Sequence, residues 1–153
     1  MPALTRLVAV ALATTALAAV GLVACSDTVA VVPPAPAREV AAVCAALTGA
    51  LPQQVGSESR RSTTPESALT AAWGSPAIVL RCGVGEPTAF RPRSKLVTVN
   101  GVDWFAEQRP DGYVFTTWGR TVRVEVSVPK EYAPEVNPLV DLAEPIKATI
   151  PKV

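Results

Sequence analysis

The acidic side chains are the best candidates in this sequence for acid–base chemistry. The chain contains no histidine, which removes the most common general base and any Ser–His–Asp or Cys–His arrangement. Asp103 and Glu107 should share one face of a predicted strand, but four residues at about 3.3 Å each place them roughly 13 Å apart. Carboxylate pairs in glycosidases lie about 5–9.5 Å apart. We therefore expect no enzymatic activity, no metal and no cofactor. The alternative is an envelope hydrolase or transferase in which Asp103 meets a carboxylate from another strand.

The first of the three cysteines stands apart from the other two. Residues 7–23 are apolar or small and follow the basic residue Arg6, as in a signal peptide. The segment Leu22-Val23-Ala24-Cys25 resembles a bacterial lipobox, which implies lipidation of Cys25 and cleavage before it. Two or more acyl chains attach a protein stably to a membrane. We predict a lipoprotein signal peptide at residues 1–24, with an uncleaved anchor or an ordinary secretory signal as alternatives.

The other two cysteines are predicted to form a disulfide. An exported domain has no reducing environment, and with Cys25 lipidated only Cys44 and Cys82 remain. The closed loop of about 39 residues corresponds to roughly 4 kcal/mol in the loop-entropy treatment.

The predicted domain organisation has three parts. Residues 25–37 follow the signal peptide and contain Pro33, Pro34 and Pro36, which favour polyproline II. The twelve residues after Cys25, at positions 26–37, reach roughly 35 Å in that conformation, and we expect a spacer that is disordered. Residues 38–153 should form one α+β domain.

The fold prediction combines helical and alternating patterns. Val40, Val43, Cys44 and Leu47 have helical spacing in a predicted helix over 38–50. Residues 51–62 are predicted to be a loop, and a short helix is expected to begin at Thr64-Pro65 and reach Ala72.

Strands dominate the second half of the predicted domain. The apolar run 78–80 should form a strand buried on both faces. From Lys95 to Val128, alternation and the turns Asn100-Gly101 and Pro110-Asp111-Gly112 predict a four-stranded antiparallel meander. Asn137 and Pro138 should cap and begin a last helix, which Pro145 should kink or shorten. The helices are expected to pack on one face of the sheet.

Three side chains near these elements are candidate ligand contacts. Arg81 follows a buried run and needs either a carboxylate partner or an anionic ligand. Trp73 and Trp104, with Trp118, could line a groove for a sugar or peptide, or pack in the core. Residues 60–95 carry a net charge of +4, which could meet anionic headgroups or envelope polymers. The overall charge of +1 gives no indication of nucleic-acid binding.

Several short motifs resemble a known family. They are Trp73-Gly74-x-Pro76, Leu80-Arg81-Cys82-Gly83-Val84, Asn100-Gly101-Val102-Asp103-Trp104 and Val128-Pro129-x-x-Tyr132. Together they resemble the actinobacterial domain of unknown function 3515 family of exported or membrane-anchored proteins, over roughly residues 40–146. The resemblance implies an envelope location and supplies no catalytic residues.

The expected function is a binding or accessory role without enzymatic activity. The protein should lie on the extracytoplasmic face of the cell membrane, attached through Cys25, and an envelope protein or an anionic envelope ligand is the expected partner. A structural subunit of a membrane complex is a further alternative.

Overall fold

The computed structural model describes residues 28–153, which contain ten strands, two α-helices and one 3-10 turn. The first part comprises β1 (Val29–Ala30), α1 (Arg38–Ala50), β2 (Gln54–Val55), β3 (Glu58–Arg61), β4 (Thr63–Thr64), β5 (Thr70–Trp73) and β6 (Ile78–Cys82). The second part comprises β7 (Leu96–Val99), β8 (Val102–Arg109), β9 (Gly112–Trp118), β10 (Val124–Pro129), the 3-10 turn Lys130–Tyr132 and α2 (Pro138–Thr149). The predicted signal peptide and Cys25 lie outside the described residues.

Eight strands form one antiparallel sheet in the order β2-β3-β5-β6-β10-β9-β8-β7. The predicted meander is confirmed as β7 to β10. Asn100 and Gly101 both have positive φ values, 47° and 82°, at the turn between β7 and β8, the backbone that a two-residue hairpin turn requires. Strand β6 pairs with β5 on one side and β10 on the other, so it lies near the centre of the sheet.

Both helices pack against the same face of the sheet, which confirms the predicted α+β class. The inward residues of β10 are Val124, Val126 and Val128. They share one core with Leu47 of α1 and with the α2 residues Leu139, Leu142, Ala143 and Ile146. The opposite face, called the outer face below, carries the charged residues of β6 and β10.

The predicted disulfide is present and joins α1 to β6. Cys44 and Cys82 have an S–S distance of 2.05 Å, are 38 positions apart, and are both fully buried. Cys44 and Leu47 are the only fully enclosed residues that α1 contributes, so the covalent bond is a major part of the attachment of this helix.

Two predictions for residues 51–73 are wrong. Instead of a loop, β2 and β3 form a hairpin around Gly56, whose N–H donates to Asp141 Oδ2 of α2 at 2.7 Å. Instead of a short helix, β4 and β5 are strands. All four residues of β5 are buried because the helices cover one face and β4 lies beside the other, with Thr63 Oγ1 3.0 Å from Thr70 Oγ1.

Strand β6 is only partly as predicted. Ile78, Leu80 and Cys82 are buried, whereas Val79 and Arg81 are half-buried. The strand therefore has one enclosed face and one partly open face. Arg81 lies on the partly open outer face, where it meets a charged partner.

The proline-rich segment is not a free spacer over residues 28–37. Strand β1 pairs in parallel with β4, Val31 is buried, and the Val32 carbonyl accepts a hydrogen bond from Arg81 Nε at 3.1 Å. Pro36 packs so closely that a Cβ on Gly83 would lie 2.8 Å from its Cγ. These residues therefore belong to the domain, because the short apolar side chains among the prolines find enclosed positions on it.

The last helix begins at Pro138 as predicted. Asn137 has helical φ and ψ and makes no side-chain cap bond, so its predicted capping role is wrong. Pro145 lies inside the helix, which continues to Thr149. The Thr149 hydroxyl donates to the Pro145 carbonyl at 2.7 Å.

Candidate functional site

Arg81 has the ion-pair partner that its position required. Its Nη1 lies 3.0 Å from Glu125 Oε1 on the neighbouring strand β10, where the two residues are directly paired. The side chains are 34% and 23% exposed, so solvent screens the pair in part. Arg81 thus links β10 and the proline-rich segment through one guanidinium, which supports a structural role.

The ion pair lines a cleft of about 450 Å³ on the outer face, called the ion-pair cleft below. Glu107 on its wall pairs with Arg109 at 3.0 Å. Glu86, also on its wall, pairs with Arg123 at 3.2 Å. The charges of this cleft are therefore largely neutralised within the protein.

We expect the Arg81–Glu125 pair to contribute about 0.2–1 kcal/mol to stability, the range for partly exposed pairs. A double-mutant cycle with Arg81→Met and Glu125→Gln, measured by urea unfolding, checks this coupling. Arg109→Met with Glu107→Gln is the matched control on the same face. A coupling above 3 kcal/mol at Arg81 would contradict the screened environment.

The carboxylates predicted for catalysis each have a partner other than a second carboxylate. Asp103 Oδ1 accepts a hydrogen bond from Thr98 Oγ1 at 2.6 Å. Burial lowers the pKa of Arg120, and the negative charge of Asp103 partly opposes that shift. Arg120 Nη1 in turn donates to the Ile150 carbonyl at 2.6 Å. Arg120, whose Nη2 also donates to the Gly101 carbonyl at 3.4 Å, therefore joins the β7–β8 hairpin to the residue after α2, and the charge of Asp103 acts on it. Among residues 28–153, no three side chains form a metal-ligating cluster.

The two tryptophans predicted as possible ligand contacts are enclosed. Trp73 and Trp104 are fully buried, and Trp73 Nε1 donates to the Pro52 carbonyl at 3.1 Å. Neither ring is accessible to a sugar or peptide, so both have the core-packing role that was the alternative. Trp118 is half-buried on the outer face, where Phe90 stacks on it with ring centroids 3.6 Å apart.

A groove of about 880 Å³ lies beside β1, β3 and the end of α1. Seven of its fourteen lining residues carry hydroxyl groups, and we call it the hydroxyl groove. The lining comprises Thr28, Thr48, Gln53, Arg60, Arg61, Ser62, Thr63, Thr64, Pro65, Glu66, Ser67, Ala68, Thr70 and Ala71. This composition suits a polar ligand rather than an apolar one.

Arg60 is the most distinctive side chain of the hydroxyl groove. Its guanidinium lies 5.3 Å from the centre of the Trp73 ring, a cation–π distance. It donates to the carbonyls of Leu51 and Thr48 at 3.4 and 3.5 Å, which are long for N–H···O bonds. Burial lowers the pKa of Arg60 from its ordinary value, although an arginine stays charged. These carbonyls belong to the C-terminal end of α1, where a positive charge is favourable.

Only the basic composition of this region pointed to the hydroxyl groove before the structure. Arg60 and Arg61 were counted in the basic stretch 60–95, and the hydroxyl run Ser62-Thr63-Thr64 follows them directly. Adjacent arginines before a hydroxyl run could have indicated a polar site. The stretch was predicted to be a loop, however, and nothing in the sequence placed α1 and β1 beside it.

Two family motifs meet in the structure. The Tyr132 hydroxyl donates to the Pro76 carbonyl at 2.6 Å, which joins the turn after β5 to the turn after β10. A Cβ on Gly74 would lie 2.5 Å from the Tyr132 oxygen, and Gly74 has a φ of 72°. Burial, followed by the charge of Glu58, raises the pKa of Tyr132. The motif residues therefore hold two turns together in the structure.

Residues 28–153 form a disulfide-linked α+β domain with a polar groove whose wall includes Thr28. Within residues 28–153, neither helix is long and apolar enough to cross a membrane. The chain belongs to the family described as "Protein of unknown function (DUF3515)", whose family model matches residues 4–153. This match confirms the family suggested by the short motifs. No curated protein and no solved structure matches the chain.

Proposed function

We propose that this protein is a lipid-anchored envelope protein whose domain binds a polar ligand or partner at the membrane surface and has no enzymatic activity. The lipobox-like segment ending at Cys25 supports the anchor, and the lack of histidine supports a role in binding. The observation that carries the proposal is the hydroxyl groove, because Thr28 is both part of its wall and only three positions from Cys25.

Chain length limits how far the groove can lie from the anchor. Consecutive Cα atoms are 3.8 Å apart, so Thr28 lies within about 11 Å of Cys25. The following residues, from β1 to Pro36, pack on the domain. A domain tethered in this way stays at the headgroup level, whereas a free spacer of twelve residues would have lifted it away.

The anchor is tested by metabolic labelling of cells with an alkyne fatty acid. We expect the wild-type protein to carry the label and the Cys25→Ser variant to carry none, because serine offers no thiol for acylation. The variant should also move from the membrane fraction to the soluble fraction or the medium.

The matched control is Ser26→Ala, which alters the neighbouring residue and leaves the thiol in place. It should label like the wild type. Label that persists in Cys25→Ser would show that the anchor lies elsewhere.

A further inference from the structure

Arg60 is a half-buried cation with no acidic partner among residues 28–153. Among the described residues, no carboxylate lies within 4.0 Å of its guanidinium, and its two hydrogen bonds to carbonyls are long. A guanidinium has five N–H donors in a planar fork that matches a carboxylate or a phosphate. Arg60 therefore retains the capacity to bind an anion from the hydroxyl groove.

The other groups of the hydroxyl groove are compatible with an anion that also carries hydroxyl groups. Within the part of the lining that the structure describes, Glu66 is the single acidic residue, and it lies in the loop between β4 and β5. Ser62 and Ser67 add hydroxyl groups that can donate to a phosphate oxygen or a glycerol hydroxyl. A volume of about 880 Å³ accommodates a lipid headgroup, since small-molecule sites measure about 300–1,000 Å³.

The ion-pair cleft does not offer this chemistry. Arg81, Arg109 and Arg123 each have a glutamate partner at 3.0–3.2 Å. An incoming anion would have to separate one of these pairs. The hydroxyl groove is thus the better anion site of the two.

The position of the hydroxyl groove near Cys25 indicates where the anion comes from. The groove wall begins at Thr28, within about 11 Å of Cys25, and acyl chains on Cys25 would place that residue at the membrane surface. We propose that the hydroxyl groove binds the phosphate of an anionic phospholipid headgroup in the same membrane, with Arg60 as the residue that contacts the phosphate. This inference rests on the anchor proposed above for its lipid source.

The test is a titration of the purified full chain in a non-ionic detergent, in which binding is measured by isothermal titration calorimetry. The probes are short-chain phosphatidylglycerol, short-chain phosphatidylcholine and free glycerol phosphate. We expect phosphatidylglycerol to bind more tightly than phosphatidylcholine, because its net negative charge is not balanced by a headgroup cation. Arg60→Gln should weaken its binding about tenfold or more, the usual size of a lost charge-assisted hydrogen bond.

Two further variants test whether the weaker binding of Arg60→Gln comes from the lost guanidinium. Arg60→Lys keeps the charge but loses the planar fork, so binding should fall less than in Arg60→Gln; it also serves if Arg60→Gln does not fold. Arg123→Gln is the matched control, because Arg123 also stands over a tryptophan, Trp118, at 5.0 Å but lies outside the hydroxyl groove. It should bind phosphatidylglycerol within twofold of the wild type.

Several results would overturn the proposal. Equal binding by wild type and Arg60→Gln, or an equal loss in Arg123→Gln, would remove Arg60 from the site. Glycerol phosphate binding as tightly as phosphatidylglycerol would assign the groove to a free phosphate ester rather than to a lipid. The titration does not depend on acylation. A failure of Cys25 labelling would therefore contradict the proposed anchor, whereas the binding measured for the Arg60 variants would still test the anion site.

Discussion

Replacing both Cys44 and Cys82 by alanine is expected to lower the free energy of unfolding by about 4 kcal/mol. The two cysteines are 38 positions apart, and cross-linking a loop of that length restricts the unfolded chain by roughly this amount. A domain of this size has a total stability of about 5–15 kcal/mol. The disulfide is therefore expected to supply a large share of it.

The structure gives a second reason for a large effect. Helix α1 contributes Cys44 and Leu47 as fully buried residues, and Val40 and Val43 are partly buried against the core, so the disulfide adds a covalent link to limited packing. Urea unfolding of the oxidised wild type and of the double variant measures the loss, and reduced wild type should match the variant. A loss below 1 kcal/mol would show that the packing of α1 alone holds the helix in place.

The substitution Trp73→Ala is expected to cost about 3–5 kcal/mol, the range for removing a large buried aromatic side chain. Trp73 is fully buried, its Nε1 donates to the Pro52 carbonyl, and Arg60 stacks over its ring. The change leaves a cavity and also an unpaired carbonyl and an unsupported cation.

Trp118→Ala is the matched control for this prediction. Trp118 is half-buried and packs on the outer face between Phe90 and Arg123, so we expect a loss of about 1–2 kcal/mol. Thermal unfolding followed by near-ultraviolet circular dichroism compares the two variants. Equal losses would contradict the assignment of Trp73 to the core and of Trp118 to the surface.

The parts of the fold that the sequence predicted well are those with long, regular patterns. The alternation from Val122 to Val128 and the Asn100-Gly101 turn predicted the meander, because period two and a positive-φ turn are local properties. The helical spacing of Val40, Cys44 and Leu47 predicted α1 for the same reason. The cysteine pair followed from the number of thiols and their expected environment.

The strands β2 to β5 could not be predicted in this way. Each has two to four residues, too short for a period to be recognised. Thr64-Pro65 carries a helix-start signal, but tertiary pairing determined the structure of the segment. Residues 28–37 have the composition of a spacer, and only the three-dimensional structure shows that Val31 and Pro36 pack on the domain.

The candidate site was predicted in part. The need for a carboxylate beside Arg81 followed from its position after an apolar run, and Glu125 supplies it. Arg60 could not be distinguished from other basic residues, because its half-buried position depends on Trp73 and on the end of α1. Trp73 and Trp104 were ambiguous, since aromatic residues serve equally in cores and in grooves.

The central claim is that the hydroxyl groove faces the membrane, and fluorescence quenching at two positions tests it most directly. A single cysteine is introduced at Glu66, on the groove, or at Lys95, next to β7. Strands β3 and β7 are six strand spacings apart, about 29 Å at 4.8 Å each. If Cys25 is acylated as proposed above, and with Cys44 and Cys82 bonded to each other, only the new thiol accepts the fluorophore.

The labelled, membrane-extracted protein is reconstituted in vesicles that contain nitroxide-headgroup lipids. We predict strong quenching of the label at Glu66→Cys and weak quenching at Lys95→Cys, because Thr28 on the groove wall lies within about 11 Å of Cys25. Equal quenching at both positions, or stronger quenching at Lys95→Cys, would contradict the placement of the hydroxyl groove at the membrane surface.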